Sequence, residues 1–276
     1  MTVTINGATG IAGVNGTATL PAVQGGGDTN TGVFYPVADT VAISTGGVER
    51  MRVTSTGVAL PTGTSIGSIA AGTASVAPLN LTSGTNLTTA TAGAMEYDGT
   101  VFYATPTASQ RGVIMAEQII LLQSAYTLTS QTAAQAMFNT PAGGQVTLTA
   151  GTYEFECFYS LSAMSASSGS FGFALGGTAT KTQFFWSLAA KASPLATTTA
   201  ANSTYNVTAA NTALSAASVN TVGYANISGI INVSVSGTVI PQVSLGVAAA
   251  AVVGIGAYFR IRPIGSTTVT SVGAWT

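Results

Sequence analysis

The sequence predicts an all-β protein in two styles: a slender N-terminal part of short strands and a C-terminal β-sandwich. Three observations predict it. Between Thr152 and Leu161, Tyr153, Phe155, Cys157, Tyr159 and Leu161 alternate with mostly polar residues, the period of half-buried antiparallel strands. Before residue 113 the chain runs instead in short β-type pieces broken by Gly, Asn and Pro. Charged residues make up only 5% of 276 positions, against about 25% in ordinary globular chains, so Thr, Ser, Asn and the backbone must carry solubility.

Taken in order, residues 1–27 are Gly- and Ala-rich with scattered apolar residues, and end in Gln24-Gly-Gly-Gly27. They read as an anchor and flexible joint. Met1-Thr-Val-Thr-Ile-Asn-Gly7 has neither a basic n-region nor an apolar h-region, so no secretory signal is expected, and release by lysis is. Residues 28–114 read as strand, turn, strand. Val33, Tyr35 and Val37 share one parity, Val41 and Ile43 begin the next strand, and Gly46-Gly47 turn the chain into Val48-Glu-Arg-Met-Arg-Val53. After an irregular stretch at 61–77, the short-strand style returns from Leu79 to Val113. Such strands bury too little apolar area to stay folded alone and need partners. Intertwined identical chains supply them, and a closed ring of three leaves no free sheet edge.

Residues 115–276 read as a separate globular region. Phe171, Phe173 and Leu175 alternate, as do Ala257, Phe259 and Ile261 against Tyr258, Arg260 and Arg262. Further strands are expected at 145–148, 183–188, 203–207, 219–235, 239–245 and 267–272, and one short helix at 131–138. About eight to ten strands with turn residues between them predict a jelly-roll-like β-sandwich. The apolar run from Val243 to Ala257 is shorter than the roughly 20 residues of a spanning helix and is broken by glycines, so a buried strand and loop is expected there and no membrane insertion.

Two cassettes carry a resemblance. The first is Asp28-Thr-Asn-Thr-Gly-Val-Phe-Tyr-Pro-Val-Ala-Asp39 with Gly46-Gly-Val-Glu-Arg-Met-Arg-Val53. The second includes Gly93-Ala-Met-Glu-Tyr-Asp-Gly99, Phe102-Tyr-Ala-Thr105 and Arg111-Gly112. In wording and order, residues 28–112 resemble the shaft segments of bacteriophage tail fibres. The resemblance implies a homotrimer with an elongated β-rich shaft. Its N-terminus would dock on a virion tail or baseplate protein, and its C-terminal head would attach to host surface carbohydrate or protein. A head fibre or capsid decoration protein is the alternative reading.

The chemistry available is sparse. With net charge −1 there is no electrostatic footprint for nucleic acid, and with no His and one Cys there is no zinc set. Cys157 falls on the apolar parity of its strand and reads as a small buried hydrophobe. Asp28–Asp39 has the length of a calcium loop but carries Val33 where the sixth-position Gly is required. No metal, cofactor or catalytic set is therefore expected.

A polysaccharide depolymerase would need two carboxylates facing one bond, roughly 5–10 Å apart, and only Glu154 with Glu156 qualifies. The competing reading pairs them across strands with the equally spaced Arg260 and Arg262, fixing register, and the sequence favours it. In the shaft, Glu49 is expected to meet Arg50 or Arg52 of another chain, with Met51 filling the axis. Receptor contacts are expected on loops at 162–170 and 192–202 and around Tyr205 and Asn206, with Ser165 and Ser168 among the candidates.

Overall fold

The structure is a computed structural model that describes residues 4–6, 10–61, 71–139, 143–191, 202–206, 212–214 and 221–268. For 4–6, 10–12, 183–191, 202–206 and 212–213 the backbone alone is described. Every described regular element is a strand. The chain divides into two compact units, 1–80 and 81–276.

In the first unit, β1 (Thr4–Asn6) and β2 (Gly10–Ala12) form an antiparallel ribbon. Then β3 (Val23–Gly25), β4 (Asp28–Phe34), β5 (Val41–Thr45), β6 (Val48–Thr54) and β7 (Gly57–Ala59) follow one another as a five-stranded antiparallel meander. The glycines expected to make a joint at 24–27 instead close the β3–β4 hairpin. Gly46 and Gly47, at φ +60° and +74°, make the turn into β6, a backbone that side chains other than Gly adopt at a cost. One face of this meander is closed: Phe34, Ala42 and Ser44 are buried.

The second unit opens with a three-stranded sheet, β8 (Met95–Tyr97), β9 (Phe102–Thr107) and β10 (Gln110–Ile114). It continues into two larger antiparallel sheets. The larger joins β11 (Gln118–Leu121), β15 (Gly151–Ser162), β17 (Thr180–Lys191), β18 (Asn202–Asn206), β20 (Gly223–Val235) and β23 (Tyr258–Gly265) in the order β11-β23-β15-β20-β17-β18. Short β12 (Tyr126–Thr127) and β22 (Val252–Val253) pair with each other, and β22 also pairs with the end of β15. The smaller sheet holds β13 (Gln135–Ala136), β14 (Val146–Leu148), β16 (Phe171–Gly176), β19 (Thr212–Ala213) and β21 (Gly237–Leu245), with β21 paired to β13, β14 and β16.

The alternation in β15 sends its odd residues between these sheets. Phe155 stacks 6.5 Å from Phe173 of the smaller sheet, Tyr159 meets Phe171 edge-on at 6.0 Å, and the Cys157 Sγ lies 3.7 Å from the Met137 Sδ. Each such fully buried side chain contributes about 1.5–3 kcal/mol. The region is a β-sandwich-like pair of layers with one continuous core.

The helix expected at 131–138 is not there. Gln135 and Ala136 form β13 against β21, and the Gln135 side-chain amide holds both the N–H and the C=O of Thr129 at 2.9 Å. Met137 and Phe138 are both inaccessible core residues, so burial of consecutive side chains outweighed a one-turn helical pattern. The expected strands at 145–148, 183–188, 203–207 and 239–245 correspond to β14, β17, β18 and β21. Of 219–235, residues 223–235 form β20 and 219–220 lie outside the described residues. Of 267–272, residues 269–272 do as well. The run from Val243 to Ala257 ends β21, loops to β22, and turns towards β23 with Ile255 69% exposed. No helix among the described residues is long and apolar enough to cross a membrane.

Candidate functional site

The even-numbered residues of β15 point away from the core, and the register decides what they meet. Glu154 lies opposite Arg262 and Glu156 opposite Arg260, both on β23. Arg262 donates from Nε and Nη2 to one oxygen of Glu154 at 3.0 and 2.7 Å. Glu156 accepts from Arg260 through one oxygen and from the Tyr258 hydroxyl through the other. Glu117, just before β11, lies 4.0 Å from Arg260 and 3.9 Å from Arg262 and bridges the two pairs. Tyr258 stacks on Phe158 at 6.0 Å. The outer face of the larger sheet thus carries a continuous ladder of three carboxylates, two guanidiniums and two rings.

This ladder has little of what hydrolysis requires. The Tyr258 hydroxyl, with Arg260 beside it, holds the Glu156 carboxyl below the ordinary glutamate range, the opposite of what a general acid needs. The depression between Glu117, Glu154, Glu156, Ser228, Arg260 and Arg262 has room for little more than a water molecule. Cys157 is fully buried, and desolvation pushes its thiol far up, away from the thiolate a nucleophile uses. Among the described residues no group of three or more Cys, Asp or Glu side chains is placed to hold a metal ion.

The cassette residues act locally. In the second cassette Glu96 takes the Leu87 N–H at 2.5 Å and Arg111 Nε at 2.9 Å, while Arg111 Nη2 also donates to the Leu87 carbonyl at 2.6 Å. The Leu87 N–H, with Arg111 adding to it, holds Glu96 ionised below its ordinary range. Asp98 accepts from the Thr100 and Val101 N–H groups at 2.8 Å each and from the Tyr103 hydroxyl at 2.9 Å. Burial, together with Asp98, pushes the Tyr103 hydroxyl up to about 12. Tyr97 stacks on Phe102 at 4.2 Å. Glu-Tyr-Asp-Gly is therefore a polar clamp that fixes the three-stranded sheet to the segment before it.

In the first cassette Glu49 meets an arginine of its own chain. Arg52 holds both Glu49 oxygens at 2.7 Å and keeps its carboxyl below the ordinary range. Residues three apart on a regular strand point to opposite faces. Here Ser44 pairs with Glu49 and Ile43 with Met51, so Arg50 is an extra residue in a β-bulge. The bulge restores Glu49 and Arg52 to one face. Arg50, the exposed bulge residue, donates to Thr45 Oγ1 at 3.0 Å.

Of the receptor candidates, Ser165 and Ser168 are half-buried in the loop after β15. Ser165 Oγ lies 3.0 Å from Ser167 Oγ, and buried Met164 ties the loop to the Thr221 carbonyl at 2.9 Å. Tyr205 and Asn206 lie in a strand rather than a loop: β18 pairs Tyr205 with Ser187 and Asn206 with Trp186 at the edge of the larger sheet. One register row therefore runs Tyr205, Ser187, Ser228, Glu156, Arg260, Ile119 across six strands. The structure does not bring Ser165 and Ser168 into that row, and the loop at 192–201 lies outside the described residues. Sequence reasoning missed Glu117 and Tyr258. The parity of 117, 119 and 121 could have found the first, and the Tyr-x-Arg-x-Arg spacing of β23 the second. No protein-family model matches the chain, and no curated protein matches it.

Proposed function

We propose that the chain is a structural fibre subunit of a bacteriophage, homotrimeric, with an N-terminal part that docks on the virion and a jelly-roll-like head that contacts host surface carbohydrate or protein. The observation that carries this reading is how the charges are used. Glu49, Glu96, Glu154 and Glu156 are each held by an arginine, and such pairs fix register and turns but do no chemistry. The tail-fibre-like wording of the two cassettes supports it, as does a first unit built only of short antiparallel strands among its described residues. The reading is non-enzymatic, and its receptor surface is sought on the loops and outer strands of the head.

The experiment is adsorption competition: purified full-length chain added to host cells before phage. The reading expects a dose-dependent fall in adsorption, and its absence at saturating protein overturns the attachment role. Gold-labelled antibody on intact particles separates a tail position from a head fibre or capsid decoration. Label on neither tail nor capsid overturns the virion assignment. Clearing halos on capsulated lawns that vanish in Glu154→Gln would instead establish a depolymerase.

A further inference from the structure

Residues 53–95 carry no ionisable side chain, and the first charge beyond them, Glu96, turns back to hold them. Residues 81–92 form no strand, yet their backbone meets the three-stranded sheet at Gly84, Leu87 and Ala90, every third residue. The Gly84 N–H donates to the Tyr97 carbonyl at 2.9 Å, and the Ala90 carbonyl accepts from the Ser109 N–H at 3.0 Å. Between them, both backbone groups of Leu87 are held by side chains: the N–H by Glu96 Oε1 and the carbonyl by Arg111 Nη2. Arg111 Nε on Glu96 Oε2 joins the two holds. Leu87 is 48% exposed, so burial does not fix it, and the ion pair does.

We propose that the Glu96–Arg111 pair is an acid-operated latch, in which protonation of Glu96 frees residues 81–92 from the three-stranded sheet while the sandwich stays folded. The proton comes from solvent onto a carboxylate oxygen, and no other covalent bond changes. A neutral carboxyl accepts more weakly than a carboxylate and offers Arg111 no counter-charge, so both holds on Leu87 loosen together. Glu96 lies below the ordinary glutamate range in the folded chain. Its contribution is complete above that range and lost as pH falls through the depressed value. The other ionisable groups around it are Arg111 on β10, Tyr103 paired with it on β9, and Asp98. The Tyr103 hydroxyl, raised to about 12, stays neutral in acid and donates to Asp98. Asp98 grips the N–H groups of Thr100 and Val101 and not residues 81–92. The freed segment brings no ionisable group of its own.

The test is hydrogen exchange on the full chain at pH 6 and pH 3, with each amide corrected for its intrinsic rate. Protection of the Leu87 amide should fall at least tenfold in acid, with protection of β15 and β20 unchanged. In Glu96→Gln, whose amide oxygen still accepts but does not titrate, Leu87 protection should be the same at both pH values. Asp98→Asn should respond as the wild type does. Equal wild-type protection at both pH values overturns the latch, as does an equal fall in Glu96→Gln. A fall abolished by Asp98→Asn assigns the response to Asp98 and overturns it as well. Loss of β15 and β20 protection in step with Leu87 means acid unfolding, again against the latch. If Glu96→Gln does not fold, the wild-type pH profile decides: a one-proton step below the ordinary glutamate range supports the latch, and a step within or above that range overturns it.

Discussion

The two units cover their apolar residues to different extents. In the sandwich, Phe155, Phe259 and Ile227 face inward while Glu154, Glu156, Arg260 and Arg262 lie on the outer face. In the meander, Val41, Val53 and Val58 face out while the Glu49–Arg52 pair sits on the closed side. A sheet with a second layer buries its apolar parity against that layer, whereas the meander leaves much of one parity exposed. Alternation in a sequence thus says that a face will be covered, not what covers it.

The comparison can be broken by truncating one residue on each side. Phe155→Ala should lose about 3–5 kcal/mol by removing a ring from a closed core, read as the shift of the urea midpoint. Val58→Ala, measured on chain diluted until monomeric, should change stability by less than about 0.5 kcal/mol. Equal effects would mean that the N-terminal face is already packed within one chain.

A smaller effect concerns acid. Glu156 is held below its ordinary value in the folded chain, so its contribution is complete above the glutamate range and lost as pH falls through the depressed value. Glu156→Gln should flatten the acid limb of the stability profile by well under 1 kcal/mol, because Arg260 beside it is 41% exposed. An unchanged limb would show that the ladder adds no stability and serves register alone.

Smallest is Ser44. Its hydroxyl is buried and has no hydrogen-bond partner among the described residues. Ser44→Ala should therefore be neutral or stabilise by up to about 1 kcal/mol, where a satisfied buried hydroxyl would cost that much to remove. A clear loss in thermal midpoint would point to a partner for that hydroxyl.

Much of the sandwich is legible in the sequence, since β15, β16 and β23 alternate over long runs that only a buried strand face explains. The spacing of Glu154 and Glu156 against Arg260 and Arg262 likewise contains their pairing, given that the strands neighbour. The meander is less legible. Periodicity cannot show a bulge, so Arg50 reads as a regular strand residue and Glu49 and Arg52 as residues on opposite faces. At 131–138 the side chains that look helical belong to a bridge whose partner, Val243, is more than 100 residues away. Glu117 gains its role only once two arginines from a distant strand are placed beside it.

The most direct test is thiol labelling of neighbouring positions on opposite faces of β7. Native Cys157 is buried with its thiol pushed up, so it stays silent. In the single chain Val58 and Ala59 are both exposed. In assembled full-length protein, Val58→Cys should react with maleimide at least tenfold more slowly than Ala59→Cys, and dilution to monomer should equalise the two. Equal rates in a confirmed oligomer would contradict a fibre subunit that assembles over the exposed apolar face of its meander.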